Sequence, residues 1–226
     1  MREIVWDTET TGFEPDQGDR IVEIGAVELI GHVPTGNTFH AYVNPQRSMP
    51  QGAFEVHGLG DEFLADKPLF AEVGPKFLEF VGDAMMIAHN AEFDFKFINA
   101  ELGWAGLPLV PHERLVDSLA IARRRFPGAR NSLDALCLRF GVDNSGREKH
   151  GALLDSELLA EVYLELVGGR QPGLELSSGA SRTETVRVQR IGARPRPLAP
   201  RLTEGEAAAH AAFVAKLEGG GLWGDA

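Results

Sequence analysis

The 226 residues carry 22 Lys and Arg against 33 Asp and Glu, a net charge of −11, and are 43% hydrophobic and 24% charged. That composition fits a globular chain long enough for a sizeable core, and its acidity argues against a free-standing polyanion binder, because non-specific nucleic-acid affinity comes from Lys and Arg at phosphates. A single cysteine excludes a disulfide framework, and neither a leader-like start nor an apolar stretch of membrane-spanning length is present, so a cytoplasmic location is expected.

The first predicted strand covers residues 2–7 and runs into Asp7-Thr8-Glu9-Thr10-Thr11-Gly12. Residues i and i+2 of an extended chain face the same side, so Asp7 and Glu9 point at one place. Carboxylate oxygens there suit Mg²⁺ or Mn²⁺ rather than zinc, although the same spacing also fits a solvated strand end. A loop with Pro15, Gly18 and Asp19 leads to a long, partly alternating strand over Ile21 to Ile30, and a third strand is expected around Phe39 to Val43. Short connections make these three an antiparallel meander. After Phe54 to Leu59 the pattern predicts a helix over 70–81, a buried strand over 85–88 and a helix to about Leu102. A strand over 115–117 follows, then helices near 118–126, 132–140 and 153–167. A meander followed by alternating strands and helices predicts an α/β domain whose mixed sheet, antiparallel meander plus parallel strands, is flanked by helices. Cys137 sits between Leu136 and Leu138 in a helical pattern and reads as a buried thiol.

Asp94 falls in the first turn of the helix that leaves the strand at 85–88, where an acid is favoured by the helix dipole and where sheets gather ligand sites. Asp155 falls near the start of the helix at 153–167, with His150 five residues before it. Each has an ordinary reading alone, a capping acid or an exposed loop histidine. Together with Asp7 and Glu9 they make four carboxylates at element ends, enough to hold two divalent ions about 4 Å apart for phosphodiester hydrolysis. An imidazole titrates near neutrality, so His150 is suited to take a proton from the attacking water. Arg123-Arg124-Arg125 with Arg130 is the domain's one basic cluster, and it fits either steering of single-stranded DNA or a helix's solvated C-terminal end.

Four segments resemble, in order, the motifs of DEDDh 3′→5′ exonucleases, which have a ribonuclease H-like fold. They are Asp7 to Gly12, Val56-His57-Gly58, His89-Asn90-Ala91-Glu92-Phe93-Asp94 and His150 to Asp155. Asn131 to Cys137 and Asp155 to Leu164 are similar, within that family, to the epsilon-type proofreading subunits of bacterial DNA polymerase III. The resemblance covers residues 1–169 and implies a metal-dependent exonuclease that removes nucleotides from the 3′ end of DNA. It implies that Asp7 bridges two cations, that Glu9 and Asp155 complete one site, and that Asp94 holds the second. His150 becomes the general base. Asp7, Glu9, Thr10, Thr11, His57, Asn90, Phe93 and Asp155 are implied around the terminal nucleotide, with Gly52 contributing only its backbone. The catalytic residues equally suit an RNA-trimming member of the family, since discrimination rests on the 2′-OH. A reading from another class is a non-catalytic adaptor between polymerase and clamp.

Beyond Gly168-Gly169 the composition changes. Residues 1–169 hold 14 Lys and Arg against 27 Asp and Glu, a net of −13, whereas residues 170–226 hold 8 against 6, a net of +2. Residues 170–202, rich in Gly, Ser, Pro and Arg, read as a flexible linker. Thr203-Glu204-Gly205-Glu206 is a capping box for a short helix over 207–217, Gly219 to Gly221 ends it, and Leu222 and Trp223 follow as apolar anchors. A tethered helix too small to build a core reads as a docking segment, so 203–226 is expected to bind a partner. The resemblance makes that partner the polymerase (alpha) subunit. It also likens Gln171-Pro172-Gly173-Leu174-Glu175-Leu176 to clamp-binding motifs, with Leu176 in place of the usual aromatic. Tethering would explain the acidic domain: polymerase and clamp hold the DNA, and effective concentration replaces intrinsic affinity.

Overall fold

The computed structural model describes residues 1–147, 149–168 and 202–216, and the chain divides into two units, Met1–Glu175 and Leu176–Ala226. The first unit is built on a five-stranded sheet in the order β3-β2-β1-β4-β5. Strands β1 (Arg2–Thr10), β2 (Ile21–Ile30) and β3 (Val33–Tyr42) form the antiparallel meander, and β4 (Met85–Ala88) and β5 (Leu115–Asp117) add in parallel. This is the mixed sheet that the sequence predicts. The first strand is longer than predicted, however, because pairing with β2 continues to Thr10 opposite Ile21, across a register shift between Glu9 and Thr10. A bulge of this kind re-aims the side chains beside it.

Helices cover both faces, and the strand alternation of β1 shows which residues face which. Ile4 and Trp6 belong to a cluster with Ile24, Phe77, Met86 and Phe97, packed under α3 (Phe70–Val81) and α4 (Glu92–Trp104). Val5 belongs to a second cluster with Val27, Leu29, Leu136, Leu159 and Val162, packed under α5 (Ser118–Arg125), α6 (Leu133–Phe140) and α7 (Ala152–Leu166). With apolar residues on both faces, β1 is the central buried strand, and each of its large side chains contributes about 1.5–3 kcal/mol of hydrophobic stabilisation. Cys137 is buried in the second cluster, and desolvation raises its pKa, as a structural thiol requires.

Two α-helices are absent from the sequence reading, α1 (Gln51–His57) and α2 (Asp61–Leu64), as are short 3-10 turns at Pro15–Gln17 and His112–Arg114. Seven and four residues are too few to show a helical period, and Pro50 with Gly52 argues for a loop. In the structure Pro50 is the N-cap, and Gly58, at φ 77°, stops α1 in a left-handed conformation open to glycine. In the second unit α8 spans Glu204–Val214, three residues earlier than predicted, with the Thr203–Glu206 capping box in place. Leu202 and Phe213 are exposed there. The linker with its hexapeptide 171–176, the stop at Gly219 to Gly221, Leu222 and Trp223 lie outside the described residues. No helix of the described residues is long and apolar enough to cross a membrane.

Candidate active site

The site forms where β1 outruns its parallel neighbour. The pairing of β1 with β4 ends at Val5 opposite Ile87, so the backbone from Asp7 onward has no strand on that side. Asp94, in the first turn of α4, fills the gap: its Oδ1 accepts from the Thr8 amide at 3.0 Å and from the Thr8 hydroxyl at 2.7 Å. Thr8 shares the face of Ile4 and Trp6, so Asp94 arrives from the α4 layer. Asp7 and Glu9 share the other face with Glu3 and Val5, and there they meet α7, whose Tyr163 hydroxyl donates to Glu3 at 3.1 Å.

The approach of α7 depends on Gly25. This residue of β2 lies opposite Asp7, and a Cβ built on it would sit 2.2 Å from Ala152 C and Leu153 N. The missing side chain lets the first turn of α7 rest on the strand, a contact that the Ser156 hydroxyl closes by donating to the Gly25 carbonyl at 3.0 Å. Asp155 is thereby placed beside Asp7 and Glu9. Glu9, His150 and Asp155 each offer a ligand atom within 4.8 Å of the others.

Crowding buried carboxylates raises their proton affinity. Burial first, then repulsion from Asp94, Glu9 and Asp155, holds Asp7 well above the usual carboxylate range. Burial, then Asp155, Glu23 and Asp94, pushes Glu9 up to about 8. Asp94 is also raised by burial, even with Thr8 bonded to it. An all-oxygen donor set that destabilises its own ionised form fits a hard divalent cation, which would relieve both the repulsion and the desolvation.

The remaining predicted residues separate into groups. His57 is buried at the end of α1. Its Nδ1 accepts from the Leu59 amide at 3.0 Å, and its Nε2 lies beside the Thr10 backbone without a well-formed hydrogen bond among the described residues. Desolvation lowers its pKa, keeping the ring neutral with Nε2 as a donor. The His150 amide donates to the Val56 carbonyl at 3.2 Å, which brings the His57 helix and the His150 loop together. The Thr10 hydroxyl donates to the Gly12 carbonyl, and Thr11 is buried and accepts from the Arg20 amide, so both shape the loop after β1. Half-buried Phe93 packs edge-on against exposed Phe13. Asn90, at φ 66°, lines an open cavity with His89, Arg123, Asn131 and Ser132. Gly52 lies exposed in the first turn of α1, with nothing within 4 Å of a Cβ built on it.

Three participants escaped the sequence reading. Gly25 had a signal, since an isolated glycine inside a strand marks a close backbone approach. Glu23, buried opposite Glu9 and bonded to His40 at 2.7 Å, looks in sequence like any polar residue of an alternating strand. Arg147 grips Asp155 through Nε at 2.5 Å and Nη2 at 2.6 Å, and only its place three residues before His150 hinted at this. The basic cluster divides: Arg125 donates to the Glu165 and Leu166 carbonyls at the end of α7, whereas Arg123 lines the cavity beside Asn90.

A family model described as Exonuclease matches residues 4–163. The chain is 50% identical over 194 residues to the DNA polymerase III subunit epsilon of Rickettsia felis, covering 84% of this chain and 85% of that protein. To the Escherichia coli K12 subunit of the same name it is 43% identical over 235 aligned positions, covering 98% and 97%. Among solved structures it is similar to exonuclease X in complex with 5′-overhanging duplex DNA, at a TM-score of 0.59 and 30% identity over 73% of this chain and 90% of that one. The fold is shared with the nuclease domain of 3′hExo, a DEDDh family member bound to rAMP, at a TM-score of 0.64 and 19% identity over 74% and 91%.

Proposed function

We infer the chemistry from a plain premise: the chain belongs to the exonuclease family, in the branch of DNA polymerase III epsilon subunits, and is a 3′→5′ exonuclease of the proofreading kind. On that premise we propose that Asp7, Glu9, Asp94 and Asp155 hold two divalent cations, Mg²⁺ or Mn²⁺, at the 3′ end of a DNA strand. The observation that carries this is the convergence of four carboxylates from three elements at the end of β1, where burial and repulsion from the other carboxylates raise Asp7 and Glu9. Bound cations would supply positive charge for the attacking and leaving oxygens of the phosphodiester.

The chain's own groups do the rest. His150, at the rim of the carboxylate cluster, takes the proton of the attacking water. His57 offers its buried Nε2–H to the terminal nucleotide beside the Thr10 loop, and Asn90 with Phe93 borders the same strand. Gly52 contributes backbone only. Residues 1–169 form the nuclease domain, 170–202 the linker, and 203–226 the segment that docks on the polymerase alpha subunit, with 171–176 as a weak clamp contact. Exposed Leu202 before α8 and Phe213 within it support that docking. The complex works in the cytoplasm.

The test incubates 5′-labelled single-stranded DNA, and its RNA counterpart, with the protein and Mg²⁺, using Asp7→Ala as control. A one-nucleotide ladder shrinking from the 3′ end of DNA and absent in the variant is expected. Preference for RNA would mean a trimming enzyme, and no ladder on either strand would leave an adaptor. Deleting 170–226 should spare cleavage of free oligonucleotides and abolish co-purification with the polymerase; retained binding would sink the docking assignment.

A further inference from the structure

We propose that Arg147 is a resident cation of the carboxylate cluster: it holds Asp155 and the Nδ1 of His150, and it yields both by moving onto Asp134 when a divalent cation binds. The inference rests on Asp155 as a metal ligand and His150 as the base. One side chain touches both.

The Arg147 side chain is 8% exposed, and its Nε and Nη2 take both oxygens of Asp155 at 2.5 and 2.6 Å. Nη2 also lies 2.8 Å from His150 Nδ1, and that nitrogen is 3.3 Å from Asp155 Oδ2. A guanidinium has five donors and no acceptor, so His150 Nδ1 must be the acceptor. The ring is then neutral with its proton on Nε2. In that tautomer neither nitrogen is free to take a proton from water: one lone pair is committed to Arg147 and the other nitrogen is already protonated. The same guanidinium that covers the metal face of Asp155 also idles the base.

A dication arriving at Asp155 meets the guanidinium charge at contact distance, and a second carboxylate stands ready for it. Arg147 Nη1 already donates to Asp134 Oδ1 at 2.6 Å, in the first turn of α6, and Asp134 is 60% exposed. A guanidinium moved fully to Asp134 is hydrated and keeps one ion pair, so the transfer costs little. Nothing lies within 4 Å of a Cβ built on the preceding Gly146, and Asn144 donates to the same Asp134 Oδ1 at 3.2 Å, so the second carboxylate is held in place. Cation binding and release of the base become one event, which keeps an empty site from half-assembling its chemistry.

The test titrates the full chain with Mn²⁺, reading free ion by electron paramagnetic resonance, and follows His150 by ¹⁵N-histidine NMR. Arg147→Gln should bind Mn²⁺ tighter by roughly two- to fivefold, a modest gain because the guanidinium already has the exposed Asp134 to move to. Asp134→Asn, which removes the second station, should bind it more weakly by a similar factor. Lys149→Gln removes a neighbouring charge outside the pair and calibrates general electrostatics. Without metal, wild-type His150 should show the Nε2–H tautomer with a hydrogen-bonded Nδ1, lose that bond on adding Mg²⁺, and lack it from the start in Arg147→Gln. Weaker Mn²⁺ binding by Arg147→Gln would make the arginine a loop strut, and a gain no larger than that of Lys149→Gln would reduce it to background charge; either overturns the proposal. If Asp7→Asn abolishes Mn²⁺ binding while Arg147→Gln and Asp134→Asn change nothing, the arginine inference alone fails. If the wild type takes up no Mn²⁺, the metal assignment fails with it.

Discussion

Gly25→Ala tests the claim that one hydrogen atom's width on β2 lets the site assemble. The new Cβ would lie 2.2 Å from Ala152 C and Leu153 N, whereas ordinary contact begins at 3.4 Å. Both neighbours are backbone, so no rotamer change absorbs the overlap, and the first turn of α7 must retreat by about 1.2 Å, the difference between those distances. The strain should cost roughly 1–3 kcal/mol of stability, as overpacking does. Asp155 rides on that turn, and a displacement of about 1 Å at a reacting centre costs on the order of 100-fold in rate. The assay pairs a thermal melt with initial rates on a 5′-labelled single-stranded oligonucleotide in Mg²⁺. The expected result is a folded protein of lower Tm with a rate down by about two orders of magnitude. A variant with an unchanged Tm and a wild-type rate would refute the role given to Gly25 and the account of how Asp155 is placed.

Thr8→Val removes the 2.7 Å hydroxyl bond to Asp94 but keeps the amide bond, so a loss of about 1 kcal/mol in melting experiments is expected, with a slower rate from a looser Asp94. Buried Glu9, raised from 4.5 to about 8, makes the native state bind more protons than the unfolded chain through that window. Its contribution to stability is therefore full below about pH 4.5 and lost as the pH rises toward 8, so denaturant midpoints without metal should fall from about pH 5 to 8 and recover with Mg²⁺. Midpoints that rise over that range without metal would show that the cluster is not strained as described. Arg125→Ala uncaps α7 and loses the packing over Phe126 and Phe140, which should cost roughly 1–2 kcal/mol in chemical denaturation while leaving the cleavage rate near wild type. Arg123→Ala should do the reverse, with unchanged stability and a higher KM for single-stranded DNA that converges on the wild-type value at high salt.

Sequence reasoning reached what local chemistry decides. The i, i+2 spacing put Asp7 and Glu9 on one face of a strand, the helix starts placed Asp94 and Asp155 in first turns, and the meander followed from short connections between long strands. Helices α1 and α2 were illegible because a period cannot show itself in seven or four residues, and their existence depends on Pro50 and Gly58 serving as boundaries. Only the tertiary structure decided how the carboxylates meet. Asp94 comes from the layer beneath Trp6 and binds an amide left open where β4 ends, while Asp155 comes from the opposite layer across Gly25. Nothing within either segment encodes that convergence, because it depends on which helix crosses which face of the sheet. The same is true of Arg147: its sequence position places it near His150, but its bond to Asp155 exists because two helices and the loop between them close over one buried charge.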